Sequence, residues 1–181
     1  MAYVSNSVTV DDGMAGRGLF ANKTLRSNEL VVRIPLDKMI TENFIRKSLD
    51  RSYPKWTEMQ LDCYGLFGLF IALELRKGEA SSFSTYLKSL PTSSSLVLIN
   101  WPDDYDDFLM ENVLESKQRL KELFAARYEK INDFYNADHK MTWVREEEFR
   151  HAFSHVITRA LDWPHGAPSK ITRTILEISI G

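Results

Sequence analysis

The chain has 181 residues, of which 44% are hydrophobic and 27% are charged, and its formal net charge is −2. This size and composition predict one soluble globular domain with a sizeable core. The near balance of charges gives no electrostatic reason to expect a nucleic-acid partner. The single cysteine, Cys63, excludes an internal disulfide and favours a reducing compartment, and its apolar surroundings predict a core position.

The most apolar segment, "CYGLFGLFIAL", lies between Asp62 and Glu74 and has 11 residues. A bilayer span needs about 20 apolar residues, so we expect no transmembrane helix. The short, polar N-terminus also lacks the pattern of a signal peptide.

The first 35 residues predict a small antiparallel β unit. Strands are expected at residues 6–10, 18–21 and 29–34, and the last strand is β-branched and ends at Pro35. The "SNE" segment before it predicts a turn. The stretch "GMAGRG" has three glycines in six positions, which indicates main chain that bends or approaches a neighbour closely.

Two helices are predicted after the β unit along the chain. Residues 41–49 begin with a threonine suited to N-capping. Residues 57–78 are apolar on most sides and predict a buried helix, in which Thr57 and Gln60 would form a capping box and Gly78 would end the helix. Two internal glycines would let another element approach this helix; they are Gly65 and Gly68.

Shorter helices are predicted at residues 81–91 and 103–109, and the longest helix at residues 111–136. Charged residues of the longest helix, Lys117 among them, are expected on a solvated face, with partner binding by that face as the alternative. Its predicted apolar stripe is Leu120, Leu123, Phe124, Tyr128, Ile131, Phe134 and Tyr135.

A last helix is predicted at residues 146–161, and the loosely alternating tail after it favours a strand. The residues expected to face inward from this helix are Phe149, Ala152, Phe153 and Val156. Together the elements predict an α+β fold that is mostly helical.

Two histidines of the last helix, His151 and His155, are four residues apart and could face one metal ion. Arg150 and Ala152 stand where a catalytic zinc motif would place its glutamate, and no third ligand is evident. We therefore expect no metal, with one histidine partly buried and the other exposed. No catalytic residue is assigned, because Cys63 has no nucleophile motif and the glycine segment lacks the GK[ST] ending of a phosphate loop.

Arg159 lies beside the apolar stripe of the last helix, three residues after Val156 and seven after Ala152. A buried guanidinium needs an anionic partner, because burying an unpaired charge is costly. Spacing alone favours the alternative, in which the stem follows the edge of the core and the head reaches water.

Four motifs occur in one order along about residues 8 to 163. They are a G-x-G-[LV] strand, "IPLDKMIT", "SSFSTYLKSLP" and the "[ST]R" of "HAFSHVITRAL". Together they resemble the SET domain, in the branch of Rubisco large-subunit methyltransferase and related fungal and animal protein-lysine methyltransferases. The matching residues are Gly16, Gly18, Leu19, Glu29, Ile34, Pro35, Ile40, Thr41, Ser82, Tyr86, Leu90, Pro91, Thr158 and Arg159.

The resemblance implies a SET fold of small β-sheets with a helical insertion, and methyl transfer from S-adenosylmethionine to a lysine of a protein substrate. It makes residues 1–41 the N-terminal β part, 42–140 the helical insertion, 141–163 the return helix and 164–181 an atypical tail. It also implies a cytoplasmic or nuclear location. Neither nucleic acid, membrane nor metal is expected as a partner.

The resemblance also assigns the cofactor contacts. The main chain of Ala15, Gly16 and Arg17 would reach the cofactor past the glycines, and Arg159 would pair with its methionyl carboxylate. The cofactor would bring the reactive methyl group, and the protein would orient it.

The chain departs from the family after the "[ST]R" helix. The family continues into an Asn-His segment and a catalytic tyrosine, whereas here no asparagine follows Asn136 and no tyrosine follows Tyr135. We therefore expect a truncated member without the C-terminal SET half, inactive alone and prone to associate through exposed strand edges. The alternatives are a non-enzymatic helical binding module or decoy, and a small helical protein with a chance resemblance.

Overall fold

The computed structural model describes residues 3–13, 16–92, 97–137, 143–160 and 175–179. These residues are mostly helical with small antiparallel sheets, which confirms the α+β class. The chain divides into two compact units: a β unit of Met1–Thr41 with Trp163–Gly181, and a helical unit of Glu42–Asp162. The assignment of ranges to parts of a SET domain stays a prediction.

Two antiparallel sheets form the β unit. In one, β4 (Leu30–Pro35) lies between β1 (Tyr3–Val4) and β5 (Ile175–Ser179), and in the other β2 (Val8–Gly13) pairs with β3 (Gly16–Ala21). The strand predicted in the tail is therefore confirmed. In this sheet β4 has a neighbour on each side, and association through exposed strand edges stays a prediction.

The turn before β4 is confirmed. Asn28 has a φ of 62°, in the left-handed region that asparagine tolerates better than most residues. The Arg26 N–H donates to the Glu29 carboxylate at 2.9 Å, and the Glu29 N–H donates to the Arg26 carbonyl at 3.0 Å.

Five α-helices are described in the helical unit: α1 (Glu42–Ser52), α2 (Cys63–Lys77), α3 (Ser84–Ser89), α4 (Glu111–Asn136) and α5 (Glu146–Arg159). Short 3-10 turns occur at Trp56–Met59, Gly78–Ala80, Leu98–Asn100 and Asp103–Phe108, and Leu36–Lys38 is such a turn in the β unit. Within the described residues, no helix is long and apolar enough to span a membrane.

Helix α2 starts six residues later than the sequence predicts. The Asp62 carboxylate accepts a hydrogen bond from the Gly65 N–H at 2.9 Å and caps the helix, so the predicted capping box of Thr57 and Gln60 is wrong. Gln60 instead has a φ of 49° and separates a 3-10 turn from α2. Aspartate is among the best N-cap residues, which explains why it determines the start.

The first turn of α2 lies at the surface. Cys63 is exposed, so the prediction of a core cysteine is wrong: it is the first residue of α2, and the buried run of the helix begins at Gly65. Arg127 of α4 pairs with Asp62, and its hydrogen bond holds the pKa of that carboxyl below the usual range.

The core of the helical unit centres on Phe149 of α5, which is fully buried. Its ring lies 5.4 Å from the ring centroid of Phe124 and 5.8 Å from that of Phe153. A Cβ built on Gly68 of α2 would lie 2.8 Å from Phe149 Cε2. The predicted close approach to α2 is thus confirmed at Gly68, and all four residues predicted to face inward from α5 are buried.

Helix α4 departs from its predicted pattern in two ways. Leu123 and Tyr135, placed in the stripe, are 42% and 39% exposed. Lys117, placed on the solvated face, is 1% exposed, because the segment before α4 folds over it. Its ammonium donates to the Pro102 carbonyl and to Asp103, each at 3.0 Å, and to Asp106.

Replacing Gly68 by alanine is expected to destabilise the protein, although alanine favours helices by about 1 kcal/mol over glycine. The added methyl group would lie 2.8 Å from Phe149 Cε2. Because the Phe149 ring is fully buried, it cannot move toward solvent to make room. Overpacking costs about 1–3 kcal/mol and the higher helix propensity offsets about 1 kcal/mol of it, so we expect the free energy of unfolding to fall by up to about 2 kcal/mol in urea titrations.

The Phe149→Leu background provides the control for this substitution. There the alanine should cost less than in the wild type, which a double-mutant cycle measures. A higher stability of Gly68→Ala in the wild-type background, or an equal effect of the alanine in both backgrounds, would contradict the contact.

Candidate functional site

The residues predicted to bind the cofactor lie in both units of the structure. Ala15 lies outside the described residues. Gly16 and Arg17 begin β3 in the β unit, and Arg159 is the last residue of α5 in the helical unit. The common role of these residues in one cofactor site stays a prediction.

The hydrogen-bond ladder of the β2–β3 hairpin determines which main-chain groups point outward. The Asn22 N–H donates to the Ser7 carbonyl at 3.0 Å, and hydrogen-bonded pairs alternate along an antiparallel ladder. By this alternation Gly16 belongs to a hydrogen-bonded pair, and Arg17, which lies opposite Asp12, does not. The Arg17 N–H and C=O therefore point away from β2, along an edge of β3 that no other described strand occupies.

The glycines of this hairpin have a neighbour within the hairpin itself. A Cβ at Gly13 would collide with the Phe20 ring, coming within 2.8 Å of its Cε1 atom. At Gly18 a Cβ would touch the same ring at 3.4 Å, which is an ordinary contact. The packing of Phe20 therefore favours glycine at position 13.

Arg159 is exposed at the C-terminus of α5, with its head anchored at one nitrogen. Its Nη1 donates to the Thr158 hydroxyl at 2.6 Å and lies 3.2 Å from His155 Nδ1. The Thr158 hydroxyl in turn donates to the Ser154 carbonyl at 2.9 Å. Within the part of the chain that the structure describes, no carboxylate pairs with Arg159, so the head reaches water as the spacing favours.

The two histidines of α5 form a contacting pair. Their Nε2 atoms are 3.2 Å apart, and their ring centroids are 4.5 Å apart in an edge-to-face arrangement. His151 is partly buried and His155 is 3% exposed, so the expectation that one of them is exposed is wrong. No cluster of three possible metal ligands occurs among the described residues, and the metal hypothesis gains no third ligand.

Burial makes both histidines neutral near neutral pH. It is the largest cause that lowers the pKa of His155 to about 4, and the neighbouring His151 and Arg159 lower it further. Burial also lowers the pKa of His151. His151, His155, Thr158 and Arg159 lie together, and the guanidinium of Arg159 therefore carries the positive charge of this group.

Tyr86 of α3 belongs to the motif that resembles the family's "SxWxxYxxxLP". Burial raises the pKa of its hydroxyl, and the charge of Arg159 lowers it in part. Two motif residues that are far apart in sequence, Tyr86 and Arg159, thus lie close enough for the charge of Arg159 to act on the Tyr86 hydroxyl.

The burial of His155 and its contact with Arg159 were not predicted from the sequence. A signal was present, because His155 follows the buried Ala152 by three residues and precedes Arg159 by four, spacings that share a helix face. The direction of the hydrogen bonds, in contrast, depends on side-chain rotamers that no spacing determines.

A comparison with curated proteins finds similarity to the SET domain-containing protein 4 of Artemia parthenogenetica. The two are 30% identical over 82 residues, which is 45% of this chain and 20% of that protein. The chain thus spans about a fifth of the length of this relative. No family model matches the chain, and no solved structure matches it significantly. The similarity suggests a SET-domain relationship.

The neutral state of His155 predicts a pH dependence of stability. Its folded pKa, about 4, lies below the ordinary 6.5, so between these values the unfolded chain binds more protons. The free energy of unfolding should therefore fall as the pH falls through this window, by at most about 1.4 kcal/mol per pH unit for one group.

Urea unfolding at several values from about pH 7 to about pH 5 measures this dependence. The variant His155→Gln does not titrate and should show a shallower slope than the wild type, while other groups contribute equally to both. Equal slopes for the two proteins would contradict the buried neutral histidine.

Proposed function

We propose that this chain carries the amino-terminal, cofactor-binding part of a SET-type protein-lysine N-methyltransferase, of the Rubisco large-subunit methyltransferase-like branch. Its cofactor is S-adenosylmethionine, its substrate is a lysine of a protein, and its location is the cytoplasm or the nucleus. The similarity to a SET-domain protein supports the family. The observation that carries the site is an anchored guanidinium, Arg159, without a carboxylate partner among the described residues.

The methionyl carboxylate of the cofactor fits Arg159. A guanidinium binds a carboxylate through two parallel N–H···O bonds. Because Nη1 is held by His155 and Thr158, the edge formed by Nε and Nη2 is the one left for such a pair. The neutral histidines beside it add no competing cation.

The free edge of β3 suits the other predicted contact. Gly16 uses its N–H and C=O in the pair that closes the hairpin, whereas those of Arg17 point outward. Of the main-chain positions proposed to hold the cofactor, Arg17 therefore has a donor and an acceptor available. The contact of Ala15 is proposed from the motif alone.

When bound, S-adenosylmethionine supplies the activated methyl group. The chain's own residues bind and orient the cofactor, and alignment of reacting groups can contribute about 7–11 kcal/mol. The substrate lysine must also lose a proton, because its free pKa is about 10.4. The residue that the family uses at this centre, a tyrosine, has no counterpart after Tyr135. We therefore propose that the 181-residue chain does not transfer methyl groups by itself.

A non-enzymatic helical binding module or decoy is the second candidate. The observation that favours it is an exposed apolar segment directly before α4, where Tyr105, Phe108 and Met110 are 55%, 84% and 71% exposed. Neighbouring apolar residues exposed in this way mark interaction surfaces more often than isolated ones do. This candidate requires a protein partner and no cofactor, so cofactor binding separates the two.

Titration with S-adenosylmethionine and with its decarboxylated analogue tests the proposal. We expect the wild-type chain to bind S-adenosylmethionine with a Kd of about 1 mM or weaker, which ligand-observed NMR detects. Arg159→Ala should weaken this binding by about tenfold, as for a lost charge-assisted hydrogen bond, and should leave the analogue unaffected.

Arg119→Ala, at an exposed position of α4, is the matched control and should change neither affinity. Equal effects of Arg159→Ala on both ligands would remove Arg159 from the carboxylate site. Absence of any binding would contradict the cofactor role of this chain. Methyl transfer to protein by the chain alone would contradict its proposed inactivity.

A further inference from the structure

A chain of hydrogen-bonding groups runs along one face of α5, through Arg159, His155 and His151. These residues are spaced four apart, which places them one above the other on a helix. Arg159 Nη1 lies 3.2 Å from His155 Nδ1, and His155 Nε2 lies 3.2 Å from His151 Nε2. Both ends of the His155 imidazole are therefore engaged.

The chemistry of these groups fixes the direction of the chain. A guanidinium only donates, so His155 Nδ1 accepts from Arg159. A neutral imidazole that accepts at Nδ1 carries its hydrogen on Nε2, which faces His151 Nε2, and the Pro91 carbonyl is a further hydrogen-bond partner of His155. With His155 Nε2 as the donor to His151, the His151 ring accepts at Nε2 and carries its own hydrogen on Nδ1.

Arg159 Nη1 has two hydrogens, and each of them has a hydrogen-bond acceptor. One is His155 Nδ1 and the other is the Thr158 hydroxyl oxygen, which is itself held by the Ser154 carbonyl. We propose that neutral His155 is a positioning residue that, with Thr158, orients Arg159 so that its Nε–Nη2 edge is presented to a carboxylate, and that protonation of His155 releases it.

Protonation would act on Arg159 in two ways. It places a hydrogen on Nδ1, so the ring can no longer accept from the guanidinium, and it places two positive charges side by side. The groups that face His155 make this state costly near neutral pH. Burial opposes it most strongly, followed by His151 and Arg159 on α5, while the Pro91 carbonyl weakly favours it. Tyr86 of α3, on whose hydroxyl the charge of Arg159 acts, is uncharged, since burial raises the pKa of that hydroxyl.

The identity of the carboxylate, as that of S-adenosylmethionine, rests on the proposed function, whereas the hydrogen-bond chain exists without a ligand. Long-range ¹H–¹⁵N NMR of the labelled full chain reads the tautomers directly. The chain has four histidines, so single substitutions assign their signals. We expect the Nε2–H form of His155, the Nδ1–H form of His151, and no protonation of His155 until the pH approaches about 4.

The variant Arg159→Ala should raise the pKa of His155 and mix its tautomers, because the donor and the neighbouring charge are both lost. Arg145→Ala, an exposed arginine at the other end of α5, is the matched control and should change neither. An Nδ1–H form of His155, a pKa near 6.5 in the wild type, or indifference to Arg159→Ala would overturn the proposal.

Binding of S-adenosylmethionine provides a second measurement, which would not change if His155 had only a structural role. His155→Leu should weaken S-adenosylmethionine several-fold without affecting the decarboxylated analogue, and His155→Asn, which keeps an acceptor near the Nδ1 position, should restore part of the loss. If the tautomers are as stated and the cofactor does not bind, the proposed function fails and the positioning role stands. If binding depends on Arg159 but not on His155, the positioning role fails alone.

Discussion

The contact between Phe149 of α5 and Gly68 of α2 is the constraint on which the helical unit depends. The ring occupies the space that a Cβ would fill, so the two helices approach more closely than larger residues would allow. This contact fixes the rotation of α5 about its own axis. The same rotation buries His155, on the edge of the apolar face, and leaves Arg159 at the surface one turn later.

Arg159 differs from Lys117 and Asp62 in how its charge is balanced. Lys117 is buried against oxygens of Pro102, Asp103 and Asp106, and Asp62 accepts hydrogen bonds from Arg127. Such pairing offsets the cost of removing a charge from water. Arg159 is instead held by an imidazole and a hydroxyl, neutral acceptors that orient it without neutralising it. A guanidinium fixed and left charged is suited to an anionic ligand.

The sequence predicted the elements better than their environments. Helices α4 and α5 begin where the 3.6-residue period and the acidic first turns indicate. The start of α2 was wrong because two candidate caps compete, and the hydrogen bond of Asp62 decides between them. The predicted exposure of Lys117, and of one of the two histidines of α5, was wrong because the helical period alone does not show which segment covers a given helix face. The SET resemblance identified Arg159 by its motif. The neutral groups that hold its guanidinium, His155 and Thr158, could be identified only from the structure.

If the packing of Phe149 on Gly68 positions α5, then α2 and α5 open as one unit and hold Arg159 and His155 in place. Native-state hydrogen exchange measures this most directly, because it reports the free energy at which each amide opens. We predict that amides from Phe153 to Ile157 open together with those from Leu66 to Leu73, at the free energy of global unfolding. Exchange of the α5 amides by separate local opening, with α2 still protected, would contradict it.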